Sequence, residues 1–160
     1  MSVMTEAVGD SEAIADLRKQ LEALPSSRKL TFKDTEAIYA DAYALVVQGR
    51  FVDALKRFGL LILYRPSEAK YWAGLGVCNQ KLGRYDEAVS AFAFAANIEP
   101  QEPEYMLSIA ECEMLKHSVA DALEALQVVI AFCREKGGCE KTQVRAEALL
   151  DLMTKGESPA

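Results

Sequence analysis

The sequence contains few of the residues that catalysis and metal binding usually need. Its 160 residues include one histidine, His117, and four cysteines, none of them in a C-x-x-C pair. A zinc site would have to collect its ligands from scattered positions, and Cys–His or Ser–His catalysis would depend on His117 alone. The sequence also lacks a phosphate-binding loop and a dinucleotide glycine pattern. We therefore expect no enzyme activity, no cofactor and no metal, and we interpret the cysteines as reduced core residues.

Basic charge and long apolar runs are scarce as well. Eighteen Lys and Arg residues against twenty-four Asp and Glu residues give a net charge of −6. Phosphate contacts need clustered basic side chains, so we expect no direct binding to nucleic acid. The longest strongly apolar run, residues 58–64, is far shorter than the roughly 20 residues that cross a bilayer. The first ten residues lack the basic start of a signal peptide. These features predict a cytosolic chain with no membrane span.

The sequence does contain an internal repeat. Residues 49–54, Gly-Arg-Phe-Val-Asp-Ala, recur 34 positions later as residues 83–88, Gly-Arg-Tyr-Asp-Glu-Ala. Pro66 recurs as Pro100 at the same offset. Small and large apolar residues recur at this step too: Ala54, Ala88 and Ala122, and Phe58, Phe92 and Leu126. A period of 34 is typical of tetratricopeptide repeats, each of which is a pair of packed helices.

Three copies of the repeat fit the chain, at residues 35–68, 69–102 and 103–136. They predict an all-α fold of three tandem tetratricopeptide repeats, an α-solenoid. Residues 1–34 form a leading segment with an N-terminal helix. Residues 137–160 form a C-terminal capping helix and tail, because a repeat array needs a last element that covers its final apolar face.

Individual residues predict how the helices begin, end and pack. We expect Gly49 and Gly83 to end helices with positive φ, and His117 falls at the equivalent place in the third copy. Pro103 suits a first helical turn, and Ser118 with Asp121 resembles a capping box. Small residues of the middle repeat are expected to let its two helices pack closely: Gly76, Ala88 and Ala95. Large side chains are expected to fill the space between these helices: Trp72, Leu75 and Phe92.

The two flanking segments each carry an apolar stripe. In the leading segment, Ile14, Leu17 and Leu21 are spaced for one face of a helix. This stripe either folds back on the repeats or pairs with a second copy of the chain, and the sequence leaves both open. In the trailing segment a helix is predicted from Thr142 to Met153, with four residues on its apolar side: Val144, Leu149, Leu150 and Met153.

The first helix of each repeat lines the concave surface of such an array, which we call the groove. Helical spacing places four residues of each repeat there. They are Glu36, Tyr39, Tyr43 and Val46; Lys70, Ala73, Val77 and Gln80; and Glu104, Leu107, Glu111 and Met114. Tyrosines, small residues and few cations favour an extended apolar peptide over a peptide's terminal carboxylate. The alternative is that Tyr39 and Tyr43 only pack against the leading segment.

Several motifs carry a resemblance to a known family. They are Tyr39-x-x-Ala42-Tyr43, Gly49-Arg50-Phe51-x-x-Ala54-x-x-x-Phe58-x-x-Leu61-x-x-Tyr64, Gly74-Leu75-Gly76-x-Cys78 and Ala110-Glu111-Cys112. Together with the layout, they resemble the class II chaperones of type III secretion translocators, the LcrH/SycD type. The resemblance covers about residues 14–153.

The resemblance implies a bacterial cytoplasmic chaperone without enzyme activity. Such a protein keeps one or two hydrophobic translocator proteins soluble and secretion-competent by holding an extended segment of them in its groove. Carried over by position, the residues that line its pockets and floor are Tyr39, Tyr43, Val46, Ala73, Val77 and Leu107. The resemblance also implies a homodimer, formed through Ile14, Leu17 and Leu21, and a transcriptional activator as a further partner.

Two residues depart from the expected pattern. Asp41 stands where the repeat usually has leucine, so we expect its carboxylate to reach solvent or to pair with an Arg or Lys. Val46 stands where many members of the family have tyrosine, which predicts a wider or less polar pocket. A competing hypothesis also remains, in which the chain is a generic tetratricopeptide scaffold that joins folded partners in an assembly.

Overall fold

Paired helices follow one another along the chain. The structure, a computed structural model, describes residues 15, 16, 18, 19 and 30–156. Between residues 30 and 156 there is no strand. The helices of this region are α1 (Phe32–Val47), α2 (Phe51–Tyr64), α3 (Ala69–Lys81), α4 (Tyr85–Ile98), α5 (Pro103–Leu115), α6 (Val119–Lys136) and α7 (Glu140–Gly156). The predicted all-α class is confirmed.

The chain divides into two compact units, Met1–Lys33 and Asp34–Ala160. In the first unit residues 15, 16, 18 and 19 are helical. The expected dimerisation residues Ile14, Leu17 and Leu21 lie outside the described residues, so their role stays a prediction. The second unit contains the helix pairs and the groove residues.

Three-residue turns join the two helices of each pair. Gly49 and Gly83 have φ values of 74° and 73°, and His117 at the equivalent place has 61°. In each turn the residue that follows donates its backbone N–H to a carbonyl five positions earlier, as from Arg50 to Leu45 over 2.9 Å. The predicted helix ends at Gly49 and Gly83 are confirmed. His117 adopts a left-handed conformation that costs an L-residue roughly 1–2 kcal/mol.

Of the two helix starts predicted from the sequence, one is confirmed by the structure and the other is not. Pro103 occupies the first turn of α5, as predicted. Ser118 precedes α6, but its side chain makes no capping hydrogen bond, so the predicted capping box with Asp121 is wrong. Its ψ of 75° is set by the tight turn. A side-chain cap needs the extended backbone that this turn does not allow.

Two glycines let α3 approach its neighbours closely. A Cβ at Gly76 would lie 2.8 Å from the Phe92 ring of α4, and a Cβ at Gly74 would lie 2.3 Å from the Phe58 ring of α2. Both rings are 2% exposed. The close packing predicted at Gly76 is therefore present, and Gly74 makes a second such contact that the repeat pattern did not indicate.

The closing helix α7 packs against both helices of the last pair. Leu149, Leu150 and Met153 contact a core that includes Leu126 and Val129. Val144 is 65% exposed, so it does not belong to this apolar side as the sequence predicted. No helix among the described residues is both long and apolar enough to cross a membrane.

Candidate functional site

The helices α1 and α3 are joined on the groove side by one ion pair. Lys70 Nζ lies 2.9 Å from Glu36 Oε1, and these residues are 34 positions apart. The same ammonium lies 4.5 Å from the centroid of the Tyr39 ring. The hydrogen bond to Glu36 raises the pKa of Lys70. Because its charge is already engaged, Lys70 is a poor anchor for the carboxylate of a peptide terminus.

Tyr39 belongs to a cluster of three aromatic rings. Its ring meets Phe58 edge-on, with centroids 6.1 Å apart, and lies 5.7 Å from Tyr71 at 43°. Tyr71 is fully buried, whereas Tyr39 is half-buried. Edge-to-face and tilted pairs of this kind favour a defined ring position. The cluster therefore holds Tyr39 at the border between the core and the surface.

Tyr43 provides the most exposed aromatic surface of the site. Its side chain is 60% exposed, and Val47, one helical turn later, is 74% exposed. Val46, by contrast, is half-buried against the core formed by α1 and α2. Sequence reasoning missed Val47, although its spacing of four residues from Tyr43 would have indicated it. Exposed neighbours of this kind offer apolar surface to a partner.

The groove residues of α3 form a shallow floor. Ala73 and Val77 are half-buried and pack against Phe92 and Cys112. Burial raises the pKa of the Cys112 thiol to about 11, and the adjacent Gln80 side chain acts in the opposite direction. The Cys112 thiol is thus a neutral core group at physiological pH. The floor therefore presents small and aliphatic side chains at the surface of α3.

The groove residues of α5 depart from the expectation. Leu107 is 1% exposed and lies in the core with Leu126 and Ala146, so its side chain offers no surface to a partner. The spacing rule placed it in the groove by analogy with α1, but α7 packs against this helix and covers it. Glu104 accepts a hydrogen bond from Thr142 Oγ1 of α7 over 3.0 Å.

Glu111 is also tied to the closing helix. Its carboxylate forms an ion pair with Arg145 of α7. Burial raises the pKa of Glu111, and the Arg145 guanidinium opposes that shift. Arg145 lies one 34-residue period after Glu111, but it was not singled out from the sequence because α7 was interpreted as a cap outside the three repeats. The third repeat therefore contributes a paired charge at the end of the groove.

Asp41 lies outside this site and is explained by a surface pair. Its Oδ2 lies 2.8 Å from Arg57 Nε, and both side chains are about half exposed, at 53% and 51%. The expectation that Asp41 reaches solvent or pairs with a basic residue is confirmed. Exposed pairs of this kind contribute little to stability.

Open clefts lie elsewhere in the described part of the chain. One of about 570 Å³ lies between α6 and α7 and includes Ile130 and Leu150. Another of about 560 Å³ lies on the side of α2, α3 and α4, beside Trp72 and Phe94. The described residues contain no cluster of three His, Cys, Asp or Glu side chains that could hold a metal. The groove residues of α1, α3 and α5 line neither of these clefts.

The chemistry of the groove follows from these contacts. The cation of Lys70 is matched by Glu36, and the anion of Glu111 is matched by Arg145. Tyr39, Tyr43 and the aliphatic floor are left as the uncharged part of the groove. Such a face can bury apolar side chains and donate hydrogen bonds from tyrosine hydroxyls.

Comparison with known proteins places this geometry in a family. A family model of the tetratricopeptide repeat matches residues 39–93 and 80–135. The two matches together span more than half of the 160 residues. The chain belongs to the tetratricopeptide repeat family.

Particular relatives are more informative about function. The chain is 27% identical over 118 residues to low calcium response locus protein H of Yersinia pestis, covering 74% of this chain and 70% of that protein. PcrH of Pseudomonas aeruginosa, solved in complex with the chaperone-binding region of PopD, superposes with a TM-score of 0.75 at 27% identity, over 82% of this chain and 99% of PcrH. PcrH with the chaperone-binding region of PopB gives a TM-score of 0.71 at 28% identity, over 77% and 99%.

A third relative shares the fold. It is the type III secretion translocator chaperone SycD of Yersinia enterocolitica, with a TM-score of 0.72 at 24% identity over 80% of this chain and 88% of SycD. The resemblance to LcrH/SycD-type translocator chaperones, drawn from motifs in all three repeats and from the layout, is confirmed.

Proposed function

We propose that this chain is a cytoplasmic bacterial chaperone of type III secretion. It binds one or two hydrophobic translocator proteins in its groove and keeps them soluble and competent for export. The observation that carries this proposal is the internal pairing of the groove charges, which leaves Tyr39, Tyr43 and Val47 as the surface for an apolar client.

The relatives support the same class of client. PcrH has been crystallised with the chaperone-binding regions of two translocators, PopD and PopB. An extended apolar segment fits the face of this chain, because small residues such as Ala73 and Val77 form the floor while a tyrosine stands at its border. Alternate side chains of an extended client would enter the apolar surface, and its main chain would meet the hydroxyls.

The mechanism is sequestration and involves no catalytic step. A client with exposed apolar segments aggregates in water, because burying those segments against one another is favourable. A chaperone that binds one such segment lowers the concentration of free client in proportion to its affinity. Release then requires only dissociation, which suits a protein that hands its client to a secretion apparatus.

A peptide-binding experiment tests the proposal. Fluorescence anisotropy with labelled chaperone-binding regions of PopD and PopB should show saturable binding to the wild-type chain. The double variant Tyr39→Ala/Tyr43→Ala removes two rings, each able to contribute about 1.5 kcal/mol or more when buried, so its Kd should rise by at least roughly tenfold. Tyr64→Ala is the matched control, because Tyr64 is 41% exposed at the end of α2 and outside the groove.

Three results would contradict the proposal. The wild-type chain binds neither peptide; the folded double variant binds as tightly as the wild type; or Tyr64→Ala weakens binding as much as the double variant. Far-UV circular dichroism establishes that each variant is folded.

The assembly state and a regulatory partner form a separate part of the proposal. Following the family resemblance, we infer that the chain forms a homodimer through Ile14, Leu17 and Leu21, and that a transcriptional activator is a second kind of partner. Sedimentation equilibrium of the wild type and of Leu17→Asp tests the dimer: the variant should be monomeric. A monomeric wild-type chain would contradict that role of the leading helix.

A further inference from the structure

The most unusual polar atom next to the groove is the hydroxyl of Tyr71. The side chain of Tyr71 is 0% exposed, and its hydroxyl makes no hydrogen bond to any described residue. Buried polar groups are nearly always hydrogen-bonded in folded proteins. Leaving one without a partner lowers stability, and phenylalanine would fill the same space without that cost. An unpartnered buried hydroxyl beside a candidate binding face therefore calls for a functional explanation.

The position of Tyr71 suggests what that explanation is. Its ring centroid lies 5.7 Å from that of Tyr39 and 5.5 Å from Lys70 Nζ. Both of these neighbours are partly exposed. The buried Tyr71 ring therefore lies directly beneath side chains that a client would cover. Neither neighbour satisfies the hydroxyl. Lys70 donates to Glu36 over 2.9 Å instead.

Tyr39 is the residue that can give access to the hydroxyl. Aromatic side chains in helices use two common χ1 rotamers, near 180° and −60°. A change between them moves the ring without moving the backbone of α1. Tyr39 contacts the rings of Phe58 and Tyr71 and the ammonium of Lys70, and it packs at the edge of the core formed by α1 and α2. An apolar client side chain that enters beside Phe58 would replace those contacts with equivalent ones.

We propose that Tyr71 is a concealed client contact, whose hydroxyl donates a hydrogen bond to a main-chain carbonyl of the client once a client side chain has displaced the Tyr39 ring. The inference rests on the proposed function. A carbonyl is the natural acceptor, because every residue of an extended client carries one, proline included. A contact to the main chain does not depend on which side chains the client carries. It would therefore serve two different translocators equally well.

The test is the substitution Tyr71→Phe, which removes the hydroxyl and keeps the ring. The free variant should unfold at the same temperature as the wild type or higher, since it loses an unpartnered buried group. Its Kd for the labelled PopD and PopB regions should rise about tenfold for both peptides, as the loss of one hydrogen bond predicts. The matched control is Tyr85→Phe, the same change at a half-buried tyrosine that begins α4, which should leave both affinities unchanged.

The outcomes separate this inference from the function on which it rests. If Tyr39→Ala/Tyr43→Ala abolishes binding but Tyr71→Phe binds as tightly as the wild type, the groove stands and the role of Tyr71 is refuted. If Tyr71→Phe unfolds at a clearly lower temperature, the hydroxyl is already satisfied in the free protein and the inference fails. If the wild-type chain binds neither peptide, both the function and the inference fail.

Discussion

The structure predicts that adding a single methyl group at Gly74 destabilises the protein. A Cβ there would lie 2.3, 2.4 and 2.7 Å from three ring atoms of Phe58. Phe58 is 2% exposed and lies in the core of α1, α2 and α3, so an added methyl group at Gly74 competes with its ring for the same buried space. Gly59 of α2 is the matched control, since a Cβ at that helical glycine would meet nothing within 4 Å.

The magnitudes follow from two opposing terms. Alanine in place of a helical glycine gains about 1 kcal/mol of helix propensity. Forcing an extra methyl group into a packed core typically lowers the free energy of unfolding by about 1–3 kcal/mol. Because the contacts at Gly74 are so short, we expect Gly74→Ala to lie at the upper end of that range. We therefore expect Gly74→Ala to lower the free energy of unfolding by about 1–2 kcal/mol, and Gly59→Ala to raise it by about 1 kcal/mol.

Urea unfolding followed by circular dichroism at 222 nm measures both variants. The midpoint should fall for Gly74→Ala and rise for Gly59→Ala, with the slope m unchanged in both, because neither change alters the surface exposed on unfolding. The packing account of α3 would be refuted if Gly74→Ala were as stable as Gly59→Ala.

The same pair of variants connects packing to binding. The Phe58 ring meets Tyr39 edge-on at 6.1 Å between centroids, so a displaced Phe58 shifts the aromatic border of the groove. Gly74→Ala should therefore weaken binding of the PopD region while Gly59→Ala leaves it unchanged. Equal affinity in the two variants would mean that Tyr39 does not depend on Phe58 for its position.

Two further predictions concern the turns and the thiols. His117→Gly should raise the free energy of unfolding by about 0.5–1 kcal/mol, because glycine relieves the left-handed strain at φ 61° but loses more backbone entropy on folding; an unchanged or lower urea midpoint would count against this. Iodoacetamide at pH 8, with peptide mass spectrometry, should label the partly exposed Cys139 first. Cys78 and Cys112 should resist labelling until the chain unfolds, because burial raises the pKa of each thiol to about 11; rapid labelling of Cys78 would contradict that.

The helices and their turns could be predicted from the sequence because they depend on local chemistry. Gly49 and Gly83 supply the positive φ that their turns need, and the 34-residue period places the third turn at His117 even without a glycine there. The capping box at Ser118 failed for a local reason as well. Ser118 and Asp121 have the spacing of a capping box, but the tight turn fixes a backbone angle at Ser118 that the motif does not specify.

The groove was less predictable because it depends on which helices lie side by side. Leu107 follows the spacing of an exposed residue, yet α7 covers it. The pair of Glu111 with Arg145 depends on the same helix. The pair of Glu36 with Lys70 could have been found: these residues occupy equivalent positions of adjacent repeats, and opposite charges one period apart are neighbours in a stacked array.

The interaction of Phe58 with Gly74 illustrates the remaining limit of sequence reasoning. Both residues belong to recognised motifs, but the motif gives no distance between α2 and α3. Whether a glycine is required for close approach or is merely tolerated depends on tenths of an ångström between helices. Only the packed structure distinguishes Gly74 from Gly59.

The most direct test of the central claim is the solubility of a full-length client. The chain is co-expressed with the hydrophobic translocator of its own secretion system, and the soluble fraction of the translocator is measured after centrifugation. We predict that the translocator is soluble with the wild-type chain and insoluble alone or with the Tyr39→Ala/Tyr43→Ala variant. A translocator that stays insoluble with the wild-type chain, or that the double variant solubilises equally well, would contradict the account.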